Sequence, residues 1–142
     1  MEPLGGRARF VGHCLGHAAT EFDRAVGLDH SLLQAQIGKA LSLGIRRQVA
    51  QGLGTLRTVE AKISQRGVGD PEASYKIAQA YAVLGDKPAA LRVLKRSIET
   101  GFFSYPYFLS DPLLESLRNE NEFRLVMNIA RQRHEQFVKT FL

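Results

Sequence analysis

The stretch "DPEASYKIAQAYAVLGDKPAALRVLKRSIETG", residues 70–101, leaves a chain little freedom in how it folds. Ala73, Ile77, Ala78, Tyr81 and Leu84 follow the three-and-four spacing of one helix face. Asp70 before Pro71 is a start signal, a capping carboxylate followed by a residue whose missing N–H costs nothing in the first turn. Gly85 is a stop, and Asp86 at once caps a second helix with the apolar face Ala90, Leu91, Leu94 and Ile98. Gly101 ends that helix. A tight Gly85-Asp86 turn sends the second helix back along the first, and small Ala78 and Ala90 let the two backbones approach. The spacing therefore predicts an antiparallel helix pair.

The helical rhythm continues beyond it. Asp111-Pro112 opens a short helix, "LLESLR", and a last helix runs from about Asn121 to Phe141 with the stripe Phe123, Val126, Met127, Ala130, Phe137 and Phe141. No run of alternating apolar and polar residues supports a strand. The expected class is all-α, and 142 residues suffice for one continuous core.

Ala78, Tyr81, Gly85, Ala90 and Leu94 stand at the spacings of a tetratricopeptide repeat, and the segment resembles that family. It departs at Ser97, where a small Ala is usual, and at Phe102, where Pro usually ends the unit. "HAATEFDRAVGLDH", with Ala18, Phe22, Ala25 and Leu28-Asp29, is similar to the second helix and exit of another repeat. Between the two, Ile37, Gly38, Leu41 and Ala50 fit repeat spacing, while Gly54 stands where a bulky residue belongs. This middle unit is longer than the roughly 34 residues of the standard repeat.

The resemblance covers residues 16–101 and implies a short α-solenoid of antiparallel helix pairs closed by a C-terminal capping helix. The implied organisation is a single helical-repeat domain over 1–142. It has a truncated first repeat at 7–30, a degenerate middle repeat at 31–69, the best repeat at 70–101, and an aromatic connector with capping helices at 102–142. The pattern "GF…YPYF…DPLL…LR…EF…AR…RHE" is also similar to C-terminal helical-repeat tails of some bacterial multidomain signalling and regulatory proteins, which implies a longer parent chain.

"GFFSYPYFLSDP" carries Phe102, Phe103, Tyr105, Tyr107 and Phe108, out of 8 Phe and 4 Tyr in the whole chain. A terminal repeat leaves an apolar face that something must cover. Phe102, Phe103 and Phe108 are therefore expected in the core between the last repeat and the final helix, with the Tyr105 and Tyr107 hydroxyls wet.

The net charge of +5 is concentrated in the first half, notably at Arg46, Arg47, Arg57, Lys62 and Arg66. Such a field favours acidic partners, phosphate or nucleic acid. No aromatics interleave with these basic residues and no nucleic-acid reading motif is present, so the reading is a solvated surface. One cysteine, Cys14, excludes an intramolecular disulfide framework and suits a reducing compartment. No stretch approaches a membrane span, and "MEPLGGRARF" leads into no signal-peptide core. The expected location is cytoplasmic.

Catalytic constellations are thin. His13, Cys14 and His17 put two imidazoles and a thiol close together, too few ligands for a metal without a carboxylate nearby. "GLGT" at 52–55 lacks the strand before and the Lys after that a phosphate loop needs. His134, beside Glu135, reads as a partly buried structural histidine. The expectation is no enzyme, no metal and no cofactor.

What the resemblance implies is a protein-interaction scaffold holding a peptide or protein in a groove lined by first helices. Carried over, the lining is Glu72, Tyr75, Lys76, Gln79 and Val83, with Gln36, Lys39 and Ser42 from the middle repeat. Domains of this family that grip chaperone carboxylates use Lys, Arg and Asn at these slots. Lys76 matches, but Glu72 replaces a basic residue and Lys39 an Asn, so that clamp is not expected. Self-association, possible for a short array with an open face, and a basic nucleic-acid- or phosphate-binding module are the alternatives.

Overall fold

A computed structural model describes residues 33–65 and 70–142, together with His17, Thr20, Glu21 and Arg24. All the regular structure among them is helical, with no strand. The chain divides into two compact units, Met1–Val59 and Glu60–Leu142. The expected first repeat lies almost wholly outside the described residues, as do His13, Cys14 and Arg66.

In the first unit, α1 (Leu33–Ile45) buries Ala35, Ile37, Gly38, Ala40, Leu41 and Ser42. It ends in a left-handed residue, but that residue is Arg47, with φ 61. Arg47 N–H donates to the Gly44 carbonyl at 3.0 Å and Gln48 N–H to the Leu43 carbonyl at 2.8 Å. These are the two bonds of a Schellman stop, usually built on glycine. Helix α2 (Val49–Gln65) begins in this unit and finishes in the second. Its buried residues include Leu56, Val59 and Ile63. Ala50 and Gly54 are both exposed, and a Cβ on Gly54 would meet nothing within 4 Å. The repeat register assigned to this helix from Ala50 is thus corrected: its buried face is a different one, and no bulky residue is missing at Gly54.

The second unit is built on α3 (Pro71–Leu84) and α4 (Lys87–Glu99), packed against each other. The starts are as expected. Asp70 Oδ1 accepts from Glu72 N–H at 2.9 Å, and Asp86 Oδ1 from Ala89 N–H at 3.2 Å. So are the stops. Gly85 (φ 83) donates to the Ala82 carbonyl while Asp86 N–H reaches the Tyr81 carbonyl, and Gly101 (φ 125) and Phe102 repeat the pattern on Ile98 and Ser97. Ala78, Ala90 and Leu94 are fully buried in this unit.

Glu60, near the end of α2, accepts both Arg92 guanidinium bonds, at 2.5 and 3.2 Å, and the Tyr81 hydroxyl at 2.7 Å. Burial alone would raise this carboxyl. Hydrogen bonds from Arg92 and Tyr81, with the charges of Arg92 and Arg96, outweigh that and hold it below its ordinary value.

After Gly101 come α5 (Tyr105–Ser110), a short 3-10 helix (Pro112–Leu117) and α6 (Asn121–Phe141). Pro at the start of both short elements suits the first turn. Arg118 locks their junction by donating to the Leu109 and Asp111 carbonyls at 2.6 and 2.8 Å. Phe108, Leu114 and Leu117 are fully buried, and Phe123, Val126, Met127 and Ala130 on α6 are buried. The aromatic contribution to the core is narrower than expected. Phe108 is its centre, whereas Phe102 and Phe103 are half-buried.

Candidate interaction surface

The face of α3 expected to line an open groove is covered. Tyr75 is 2% exposed and Gln79 8%. The connector lies on their face of α3: the Tyr75 ring meets Phe102 at 4.9 Å and Phe108 at 5.1 Å, centroid to centroid. The Tyr75 hydroxyl and the Gln79 amide (2.6 Å) both donate to Asp111 Oδ2, while Asp111 Oδ1 accepts Leu113 N–H at 2.9 Å. Ser116 adds a bond to the Ala82 carbonyl at 3.0 Å. Tyr75 and Gln79 are therefore corrected from surface ligands to interior partners of Asp111. The physical reason is that a buried carboxylate needs donors, and α3 supplies them one turn apart.

The remaining calls divide. Glu72 is exposed and pairs with half-exposed Lys76 at 3.2 Å, a solvated contact of little energetic weight. Val83 is half-buried. On α1, Lys39 is exposed and Gln36 half-buried, but Ser42 is 1% exposed and so is corrected to an interior position. Arg46, Arg47, Arg57 and Lys62 are all at the surface. His134 is half-buried, as expected. Among the described residues no group of three or more His, Cys, Asp or Glu could hold a metal ion. No helix among them is long and apolar enough to cross a membrane.

An apolar surface does exist, on α6. Phe123, Val126, Met127, Ala130, His134, Phe137, Val138 and Phe141 share one face of this helix by their three-and-four spacing. The first part of that face is buried. The last part is not: Phe137 is 44% exposed, Val138 38% and Phe141 69%. Here the rings of Phe137 and Phe141 meet at a tilt, centroids 5.0 Å apart, and Phe103 meets Phe137 edge-on at 6.0 Å. With Arg133, Gln136 and Thr140 they line an open groove of about 430 Å³. Arg133 Nη1 donates to the Ile98 and Glu99 carbonyls at 3.1 and 3.0 Å, fixing a cation at the end of α4 and beside the groove. That placement also suits the negative end of the helix dipole.

Sequence reasoning puts Phe103 in the core and reads Phe137 and Phe141 only as the end of the α6 stripe, so the groove that the three line together is not foreseen. Its signal was the unusual length of the α6 stripe relative to the elements available to cover it. No protein-family model, no curated protein and no solved structure matches this chain.

Proposed function

We infer that the chain is a non-catalytic protein-interaction module of tetratricopeptide-like build, and that its partner seats on the aromatic groove beside the end of α6. The carrying observation is the α6 stripe, buried as far as Ala130 and exposed at Phe137, Val138 and Phe141. Clustered aromatics at the surface, next to an anchored arginine, are the composition of an interface core and not of a solvated face. The repeat-like build is supported by the burial of Ala78, Ala90 and Leu94. It is supported too by the Ser97 hydroxyl, which donates to the Pro71 carbonyl at 2.7 Å. That bond brings the end of α4 beside the start of α3, as an antiparallel pair requires. The inherited groove on α3 is not where a partner binds in this reading, because the connector already occupies it.

The test is a photo-crosslinking amino acid at position 141, with position 128 as a control on the exposed side of the same helix. A protein adduct specific to position 141 is expected. Equal labelling from both positions removes the reading. An adduct of twice the chain's own mass marks self-association, the second reading that the same stripe favours.

A further inference from the structure

The groove's chemistry narrows the partner, given that it is an interaction site as just argued. We propose that it takes an acidic amphipathic segment of another protein, with a large apolar side chain among the phenylalanine rings and a neighbouring carboxylate on Arg133.

Three phenylalanines, Phe103, Phe137 and Phe141, supply the apolar walls, and no carboxylate is among the lining residues. Arg133 is the one charged residue in the lining. Its Nη1 is spent on two backbone carbonyls, which holds the guanidinium in place. Among the described residues its Nε and Nη2 make no hydrogen bond, and Arg133 has no ion pair. An arginine anchored by one nitrogen and open at the others is pre-organised for a carboxylate, because little rotamer freedom is left to lose on binding.

The surroundings point the same way. Lys139 is exposed and has no ion pair among the described residues, and Arg131 has only a solvated contact with Glu135 at 4.0 Å. Glu135 stands two residues from Arg133, a spacing at which side chains do not face each other on a helix. The stretch 131–142 thus carries Arg131, Arg133 and Lys139 against Glu135 alone. Two copies meeting through this stretch would bring like charges together, whereas an acidic partner would relieve them.

The experiment uses two labelled peptide probes, identical amphipathic helices with Leu and Phe on one face, and with either Glu or Lys flanking that face. Each is titrated with the intact chain by fluorescence anisotropy, and the chain alone is followed by sedimentation velocity. The Glu peptide should bind at least about tenfold tighter than the Lys peptide, with affinity falling as salt rises. Arg133→Gln should erase most of that preference, and Arg133→Lys should restore part of it. Phe141→Ser, at a position 69% exposed, should weaken binding without shifting the melting temperature. Equal or tighter binding of the Lys peptide overturns the acidic partner and leaves the interaction reading standing. Binding of neither peptide overturns both. A concentration-dependent dimer dissolved by Phe141→Ser overturns the proposal in favour of a second copy.

Discussion

Asp111 is 3% exposed, and among the described residues its carboxylate is held by neutral donors from Tyr75, Gln79 and Leu113, with no cation bonded to it. The consequence for Tyr75 is electrostatic. Burial pushes its hydroxyl well above the ordinary tyrosine range, and the hydrogen bond to Asp111 and that carboxylate's charge push the same way. A pKa raised on folding means the native state prefers the protonated group. The associated stability is fully present below the unfolded value of about 10 and is lost as pH rises beyond it. The urea midpoint should therefore fall through the alkaline range starting near pH 10, and Tyr75→Phe should flatten that fall. At neutral pH the same substitution should lower stability by about 1–3 kcal/mol, because a buried carboxylate loses a donor. A variant with an unchanged alkaline limb would place the titration elsewhere.

At the scale of the element, α1, α3 and α4 end in the same pair of backbone bonds, yet on different residues: Arg47, Gly85 and Gly101. A side chain in the left-handed region costs roughly 1–2 kcal/mol relative to glycine. Part of this is offset because glycine also has more freedom to lose on folding. The two stops should consequently respond with opposite signs. Arg47→Gly should stabilise by about 0.5–1 kcal/mol. Gly85→Ala should destabilise by about 1 kcal/mol, through backbone strain alone, since a Cβ there meets nothing within 4 Å. Chemical denaturation of both variants checks this, and equal signs would mean that something other than the turn geometry decides. Glycine marked two of these ends in the sequence. The third was illegible because arginine carries no such mark.

For the molecule as a whole, α6 divides near Ala130 into a part that closes the core of the second unit and a part that presents a surface. Truncation should separate the two. A chain ending after Glu135 loses Phe137, Val138 and Phe141, all at least 38% exposed, and should melt within a few degrees of the intact protein. A chain ending before Asn121 uncovers what Phe123, Val126, Met127 and Ala130 cover and should aggregate. Differential scanning fluorimetry and light scattering on both chains provide the readout. Equal loss of stability in the two would make the aromatic end of α6 part of the core.

The helices from Asp70 to Gly101, their caps and their stops were legible because capping is local: a carboxylate and an N–H within three residues, or a carbonyl and an N–H within five. The same locality made Pro112 a start and Phe108 a core anchor beside it. Which faces meet is another matter. Periodicity says that Tyr75 and Gln79 share a side of α3, but their burial rests on Asp111, 36 and 32 residues away in sequence. Likewise the α6 stripe reads as one apolar face from Phe123 to Phe141. Only the reach of the neighbouring elements ends its cover near Ala130 and leaves the phenylalanines beyond it at the surface.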